Sequence, residues 1–448
     1  MSRDPQLPIT DVEADAAFAG LARFDHVVLA VSGGPDSVAL MVLAAEWRER
    51  VAHSTTALAV ATVDHGLRAE SRREAEHVAA EAKRLGLSHS ILTWDGAKPR
   101  TGLPLAAREA RYRLLEDHAR SFGTGHFAIV TAHHLDDQAE TLAMRLARGA
   151  GIDGLSGMRS ERPLHDSSPF TLVRPLLAVG KARLIATLAA RGIAYTDDPS
   201  NGDQRFERAR VRSLLPQLAA GGLTPEALAT SARRLNDART ALVYAEDRFV
   251  ASLELSFGNE VFARFDRRAF DDGPVFLRQK VISRLIGRYG GASPAPQLSE
   301  VEDLVARMQR ENAATVTLGG AMISCGSRFI RVWREAGRLD HAEISLIPGE
   351  AQVWDRRFVL RVTGDWFGRA QSGAVTIKPL GEKGYAAIMS RLAPSRRPPT
   401  RAARALPSFW AGETFIAAPS LAPFALFNLP PLDPVGCELN PLAFSSTC

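Results

Sequence analysis

Short apolar runs alternate with helical patterns four times between residues 26 and 148. The runs are typical of parallel strands buried on both faces, and they span 26–31, 57–63, 90–94 and 127–131. The patterns that follow them predict helices over 38–50, 70–85, 105–121 and 135–148. This alternation predicts an α/β fold with a doubly wound parallel sheet, in which ligands bind beyond the carboxyl ends of the strands.

The alternation stops after residue 216. The later helical patterns cover 223–255, 275–289 and 298–308. Short strands are expected at 314–318, 328–332, 358–362, 374–377 and 414–418. We therefore expect four segments along the chain. They are an α/β domain over 1–216, a mostly helical domain over 217–345, a small α+β domain over 346–425 and a loose, proline-rich tail over 426–448.

The charge of the chain is mildly basic. The formal net charge is +5, the isoelectric point is about 9.3, and almost all of the basic residues are arginine. Arginine binds phosphate groups through two parallel hydrogen bonds, which favours a nucleic-acid partner. The codon usage of a GC-rich genome explains the same bias equally well.

The apolar runs and the cysteines argue against a membrane protein, a secreted protein and a zinc or iron–sulfur protein. No apolar run approaches the ~18–20 residues that span a bilayer, and the first ten residues lack the apolar core of a signal peptide. The three cysteines, Cys325, Cys437 and Cys448, form no CxxC pair. We therefore expect a cytoplasmic protein with no membrane partner and with neither structural zinc nor an iron–sulfur cluster.

A glycine-rich turn lies between the first strand and the first helix. It consists of Ser32, Gly33, Gly34, Pro35, Asp36 and Ser37. Glycines let the backbone approach a phosphate, and the amides at a helix N-terminus attract anions. Asp36 fits such a loop if a Mg²⁺ ion bridges it to the phosphates. The loop lacks the Gly-Lys-Ser/Thr ending of a Walker A motif, and a simple glycine turn would not explain its serines and aspartate.

This loop resembles the signature of the N-type ATP pyrophosphatases, also called PP-loop enzymes. Further segments resemble the tRNA(Ile)-lysidine synthase family, and they lie at 63–68, 107–112, 131–155 and 198–216. The resemblance covers residues 25–216 in detail and is only general beyond them. It implies that ATP binds in the loop, that pyrophosphate departs, and that an oxygen atom of the substrate is adenylated.

The resemblance also implies a reaction and its partners. The family converts the wobble cytidine of an isoleucine tRNA with a CAU anticodon to lysidine. In that reaction the cytosine O2 attacks the α-phosphate of ATP, and the ε-amine of free L-lysine then attacks C2 and expels AMP. The implied cofactors are ATP and Mg²⁺, the segment 217–345 is implied to bind tRNA, and a homodimer is one candidate assembly.

The candidate site residues fall into groups by role. The ATP-binding candidates are Ser32, Gly33, Gly34, Pro35, Asp36, Ser37 and His65. The catalytic candidates are Asp36, Asp137, Glu140, His133 and Arg111, of which Asp36 and Asp137 are the metal ligands. The lysine-binding candidates are Asp137, Glu140 and Arg205. The tRNA-binding candidates are Arg68, Arg108, Arg208, Arg210 and Arg212.

Chemistry supports several of these roles, with simpler alternatives beside them. Asp36 and Asp137 follow strands, so both can approach one Mg²⁺ ion over the phosphates. Asp137 and Glu140 are three residues apart on a helix, and this acidic face suits a lysine ammonium. Acidic residues also simply complement a helix N-terminus, and one of His133 and His134 is as well explained by a structural role.

The arginine-rich segments have both a tRNA-binding and a structural interpretation. Arg108 and Arg111 are suited to the α-phosphate or to the tRNA backbone. Phe206 and Ala209 stand where the family commonly has tyrosine and asparagine, so the hydrogen bonds of those two side chains are lost. The stretch 391–404 contains five arginines and three prolines, which fits either tRNA phosphates or a flexible surface loop.

Three other functions compete with this interpretation. A tRNA thiolase of the same superfamily uses cysteines or an iron–sulfur cluster near ATP, whereas all three cysteines here follow residue 320. A small-molecule amide synthetase would not need the arginine-rich end of the first domain. An ATP-sensing RNA-binding module would not need Asp36, Asp137 and Glu140.

Overall fold

The structure is a computed structural model that describes most of the chain. The described residues are 7–51, 56–66, 71–96, 98–99, 101–165, 168–196, 205, 207–256, 261–291, 295–311, 314–339, 343–347, 350–362, 375–394, 397–424 and 437–441. The chain divides into two compact units, residues 1–239 and 240–447. The functional division into four segments that we expected stays a prediction.

The first unit is built of alternating strands and helices. Its elements in chain order are α1 (Asp11–Phe18), β1 (His26–Ala30), α2 (Pro35–Arg50), β2 (Ala57–Asp64), α3 (Ser71–Arg84), β3 (Ser88–Thr93), α4 (Leu103–Arg120), β4 (Phe127–Thr131), α5 (Leu135–Ala147), α6 (Ile152–Leu155), β5 (Glu161–Pro163), β6 (Thr171–Val173), α7 (Lys181–Ala190), α8 (Glu207–Ala220) and α9 (Pro225–Ser252). The last of these helices extends beyond residue 239 into the second unit.

The six strands form one sheet in the order β3-β2-β1-β4-β6-β5. All pairs are parallel except β5 with β6, so the predicted doubly wound parallel sheet is confirmed and carries one antiparallel edge strand. In β1 the side chains of Val27 and Leu29 join one apolar cluster, whereas Val28 joins a second cluster. Burial of both faces explains why this strand is an almost continuous apolar run.

The register of the sheet places two chain segments side by side. Ala30 at the end of β1 is paired with Thr131 at the end of β4 and with Ala61 in β2. The segments that follow β1 and β4 therefore leave the sheet at the same edge. Because the strand order reverses at β1, this edge is the position where such sheets bind ligands.

A bidentate ion pair connects α1 to α7. The guanidinium of Arg183 donates to Glu13 at 2.9 and 2.8 Å, and the side chains are 15% and 22% exposed. Hydrogen bonding by Arg183 holds the pKa of Glu13 well below its ordinary value, although partial burial opposes this shift. Since α7 begins at the sheet edge described above, this pair helps to fix one of its helices.

We expect the free energy of unfolding of Glu13→Gln to depend less on pH in the acidic range than that of the wild type. A carboxylate with a lowered pKa stabilises the fold above its ordinary pKa and loses this contribution as the pH falls below that value. At pH 7 the variant should be less stable by about 1–3 kcal/mol, and at about pH 3 the difference should be smaller but still present, because it disappears only as the pH falls through the lowered pKa of Glu13 in the folded protein. Thermal unfolding of both proteins between those pH values tests this, and parallel curves would contradict it.

The described residues of the second unit form further helices and three antiparallel sheets. Its elements in chain order are β7 (Phe262–Asp266), α10 (Arg267–Asp271), α11 (Val275–Gly290), α12 (Leu298–Arg310), β8 (Thr315–Leu318), β9 (Ala321–Cys325), β10 (Phe329–Arg334), β11 (Ile344–Ser345), β12 (Ala351–Trp354), β13 (Phe358–Val362), β14 (Thr376–Pro379), α13 (Gly381–Met389), α14 (Thr400–Arg404), β15 (Pro407–Ala411), β16 (Thr414–Ala417) and β17 (Cys437–Pro441). The sheet orders are β7-β10-β9-β8, β11-β14-β15-β16 and β12-β13-β17.

Two segments of the second unit are more ordered than we expected from the sequence. Residues 437–441 were expected within a loose tail, yet they form β17, which pairs with β13 and satisfies the hydrogen-bonding groups along that strand. The basic stretch 391–404 was expected to be a flexible loop or a tRNA contact. Its Leu392 and Ala403 side chains are buried, and its last five residues form α14, so part of the stretch belongs to the core. Among the described residues, no helix is long and apolar enough to cross a membrane.

Candidate active site

A cavity of about 530 Å³ opens at the carboxyl edge of the first unit's sheet. Its polar and charged lining comes from the glycine-rich loop, from the segments after β2 and β4, and from α4, α7 and α8. These lining residues are Ser32, Asp36, Ser37, Thr62, His65, Glu74, Arg111, Thr131, His133, Asp137, Lys181, Thr196, Arg208 and Arg212. The cavity is therefore bordered by both acidic and basic side chains.

Ser37 organises the glycine-rich loop. Its hydroxyl accepts hydrogen bonds from the N–H groups of Ser32 and Gly33 at 3.1 and 3.2 Å, and it donates to the carbonyl of Gly34 at 2.9 Å. Gly33 has a φ of +94°, a conformation that side chains disfavour. The loop thus turns sharply before Pro35, the first residue of α2. Pro35, Asp36 and Ser37 of the first helical turn all line the cavity.

Asp36 brings a partly unsatisfied carboxylate into this cavity. Its Oδ2 lies 3.5 Å from Nε2 of His134 and 3.7 Å from Nζ of Lys181. Its Oδ1 is buried and has no hydrogen-bond partner among the residues that the structure describes. A buried carboxylate oxygen without a partner is costly, so this atom is suited to a cation.

The two adjacent histidines differ in protonation, because the pKa of one is lowered and that of the other is raised. Burial, together with the positive charges of Arg174 and Arg208, lowers the pKa of His133 to about 2, so this ring is neutral. Burial would also lower the pKa of His134, but the carboxylates of Asp136 and Asp36 outweigh that effect and raise it to about 9. His133 lines the cavity, whereas the buried His134 is the N-cap residue of α5, and its ring lies close to the carboxylates of Asp136 and Asp137.

Two carboxylates of α5 are paired with two arginines of α8. Glu140 is only 1% exposed and accepts hydrogen bonds from Nε of Arg208 at 2.6 Å and from Nε of Arg212 at 2.5 Å. Asp137 accepts from Nη2 of Arg208 at 2.6 Å and from the N–H of His134 at 3.0 Å. We call these four side chains, Asp137, Glu140, Arg208 and Arg212, the carboxylate–arginine cluster. It fixes α8 against the helix that follows β4.

The structure brings most, but not all, of the predicted site residues to the cavity. Glu140 is buried within the cluster and does not line the cavity, and Arg108 stacks on Tyr112 instead of lining it. Arg205 is exposed, and its carbonyl accepts a hydrogen bond from Arg210 at 3.1 Å. Arg68, Phe206 and the segment 198–201 lie outside the described residues.

Several polar residues of this edge were not predicted from the sequence, among them Lys181, Arg174 and Thr196. Lys181 lines the cavity at the start of α7, and its N–H donates to Asp136 at 2.8 Å. Arg174 follows β6, is 3% exposed, and burial lowers its pKa to about 10. The N–H of Thr196 donates to the carbonyl of Gly33 at 2.9 Å. The signal that was missed is β6, whose three residues are too few to show a strand pattern.

The described residues contain no group of three or more histidine, cysteine and acidic side chains arranged to hold a metal ion. Mg²⁺ sites commonly use only one or two protein carboxylates, with substrate phosphates and water as the other ligands.

Comparison with known proteins identifies the first unit. A family model described as a PP-loop domain matches residues 10–218. This range contains the glycine-rich loop, the sheet and all residues that line the cavity.

Curated relatives match a larger part of the chain. The tRNA(Ile)-lysidine synthase of Bradyrhizobium sp. (strain BTAi1) is 44% identical over 348 residues, which cover 73% of this chain and 95% of the relative. That of Rhodopseudomonas palustris is 44% identical over 346 residues, or 74% of this chain and 97% of the relative. That of Ruegeria pomeroyi is 38% identical over 399 residues, or 87% of each chain. At this identity and coverage, the chain belongs to the tRNA(Ile)-lysidine synthase family.

Proposed function

We propose that the protein joins free L-lysine to C2 of the wobble cytidine of an isoleucine tRNA with a CAU anticodon, in the cytoplasm. The cytosine O2 attacks the α-phosphorus of ATP, the bond from that phosphorus to the bridging oxygen breaks, and pyrophosphate leaves. The lysine ε-amine, after losing a proton, attacks C2, and cleavage of the C2–O2 bond releases AMP. The observation that carries this proposal is a single cavity bordered by the glycine-rich loop, Asp36, Asp137 and Arg208.

ATP and Mg²⁺ suit the loop side of the cavity. The loop supplies backbone amides at a helix N-terminus, which attract phosphates, and His65 lines the same cavity. Asp36 would hold Mg²⁺ through its unpartnered Oδ1, and Asp137 is the second ligand that we propose. When bound, the ion would stabilise the negative charge that develops on the departing pyrophosphate.

Lysine suits the part of the cavity that lies beside the carboxylate–arginine cluster. Asp137 and Glu140 would hold the ammonium, and the exposed Arg205 would hold the carboxylate of the amino acid. The guanidinium of Arg208 donates a hydrogen bond to Asp137 in this structure. A lysine ammonium that binds there would therefore take the place of one cation at the Asp137 carboxylate. Such an exchange conserves charge and avoids leaving an acid unpaired.

Arginines near the cavity suit the phosphates of the tRNA. Arg111 lines the cavity, and burial lowers its pKa, although arginine stays charged near neutral pH. It would stabilise charge at the α-phosphate, and Arg68, Arg108 and Arg210 would contact the tRNA backbone. Arg208 and Arg212 are 40% and 39% exposed and reach solvent from their carboxylate-bound positions.

An exchange assay tests this function. Incorporation of labelled pyrophosphate into ATP should require both the protein and a CAU-anticodon isoleucine transcript. Exchange without tRNA would instead indicate a small-molecule synthetase, and ATP binding without exchange would indicate a sensor. A transcript with a wobble uridine provides the control, because its C4 oxygen replaces the amino group of the substrate base.

We expect Ser37→Ala to weaken ATP binding by about tenfold. Two backbone N–H groups of the loop would lose their shared acceptor, and an unsatisfied buried N–H costs about 1–3 kcal/mol. Titration calorimetry with ATP measures the change. Ser121→Ala, whose hydroxyl donates only to the nearby carbonyl of His118 at 2.7 Å, serves as the control, and equal affinities in both variants would contradict the role of Ser37.

A further inference from the structure

Lys181 is the one lysine among the residues that line the cavity in the described part of the chain. Its ammonium lies 3.7 Å from Oδ2 of Asp36, and the other oxygen of that carboxylate has no hydrogen-bond partner within the described ranges. Its side chain is 37% exposed, so it also reaches the open space of the cavity. No sequence motif assigned a role to this residue.

The backbone beneath Lys181 is firmly held. Its N–H donates to Oδ2 of Asp136 at 2.8 Å, and the N–H of Leu135 donates to the carbonyl of Val179 at 2.9 Å. These bonds connect the start of α7 to the start of α5, which follows β4. The flexible part of Lys181 is therefore only its side chain, which projects from a fixed position beside the glycine-rich loop.

The glycine-rich loop itself has no cationic side chain. Phosphate-binding loops of the Walker A type carry a lysine that reaches the β- and γ-phosphates, and this loop has Pro35, Asp36 and Ser37 instead. A departing pyrophosphate carries more negative charge than one Mg²⁺ ion neutralises. A second cation near Asp36 would complete the neutralisation, and Lys181 is placed to supply it.

We propose that Lys181 binds the β- and γ-phosphates of ATP and stabilises pyrophosphate as it leaves. This proposal rests on the proposed function, since it requires the phosphates to occupy the glycine-rich loop. Lys181 supplies from α7 the ammonium that the loop lacks, and Asp36 holds that ammonium until the nucleotide arrives. The alternative is that Lys181 only forms an ion pair with Asp36 and so affects metal binding alone.

Binding of pyrophosphate and AMP to the full-length chain separates these roles. Titration calorimetry is performed with each ligand, with Mg²⁺ and again with EDTA. We expect Lys181→Met to weaken pyrophosphate binding at least about tenfold under both conditions, because a charge-assisted hydrogen bond is lost, and to leave AMP binding within twofold. Lys181→Arg should restore most of the pyrophosphate affinity, because it keeps the charge.

A control variant and two contrary outcomes complete the test of Lys181. Lys83→Met, which removes an exposed lysine in the last turn of α3, should bind pyrophosphate like the wild type. An unchanged affinity of Lys181→Met in EDTA, or an equal loss for AMP and pyrophosphate, would overturn the assignment of Lys181 alone. A wild-type protein that binds no pyrophosphate would overturn the proposed function together with it. Thermal unfolding verifies that each variant is folded.

Discussion

Replacing Asp36 with asparagine should reduce tRNA-dependent ATP–pyrophosphate exchange by at least about 100-fold. The substitution keeps the shape of the side chain and removes the negative charge that we propose to hold Mg²⁺. The ion pairs of its Oδ2 with His134 and Lys181 are long, at 3.5 and 3.7 Å, so the loss of its charge should lower the midpoint of thermal unfolding by only about a few degrees. A large loss of activity with an unchanged fold is therefore the expected result.

The matched control is Asp25→Asn, which alters an aspartate at the opposite end of β1. Asp25 accepts a hydrogen bond from the N–H of His126 at 2.8 Å and lies before the strand, away from the carboxyl edge. Its variant should retain wild-type exchange. Near-normal exchange by Asp36→Asn over a range of Mg²⁺ concentrations would refute the role of Asp36.

Glu140→Gln should slow transfer of lysine at least about 100-fold while adenylation of tRNA changes by only a few fold. Glu140 is buried in the carboxylate–arginine cluster, and its charge orients both Arg208 and Arg212. Without that charge, Asp137 alone would face two guanidinium groups, and the position for the lysine ammonium would become positive. Single-turnover measurements of AMP release and of labelled lysine incorporation separate the two steps.

The same substitution should also destabilise the protein, so its effect on catalysis needs a control of similar burial. The loss is expected to be about 1–3 kcal/mol, since both arginines can turn toward solvent. Glu116, 7% exposed, accepts a hydrogen bond from Arg120 at 2.6 Å and does not line the cavity. Glu116→Gln should lose comparable stability and keep the balance between the two steps. An equal loss of adenylation and lysine transfer in Glu140→Gln would argue against its role on the lysine side.

The central sheet of the first unit follows from apolar patterning. β4 spans the predicted residues 127–131, and the other three predicted strands shift at their ends by no more than two residues. α2 begins at Pro35, three residues before the predicted start, because proline is favoured in the first turn of a helix. Asp36 and Ser37 are therefore part of that turn, which brings their side chains and amides to the cavity.

The outer edge of the sheet could not be predicted in the same way. β5 and β6 have three residues each, and a period of two residues cannot be recognised in so short a segment. The residues that follow β6 include Arg174 and, at the start of α7, Lys181. Their positions at the site become visible only when β6 is placed beside β4.

The ion pairs of the carboxylate–arginine cluster could not be predicted from the sequence. The acidic face of α5 and the arginine cluster after residue 205 were predicted as separate sites for lysine and for tRNA. The structure pairs them, with Arg208 and Asp137 separated by 71 positions in the chain. The sequence pattern predicts which charges lie on one face of a helix. The packing of α8 on α5 determines which of these charges form ion pairs.

The most direct test of the account is the identity of the product nucleoside. The wild-type protein is incubated with a CAU-anticodon isoleucine transcript, ATP, Mg²⁺ and L-lysine, and the digested nucleosides are analysed by mass spectrometry. We predict that the wobble cytidine becomes lysidine, with one AMP and one pyrophosphate released for each lysine incorporated. An unmodified wobble cytidine, or release of ADP and phosphate in place of AMP and pyrophosphate, would contradict it.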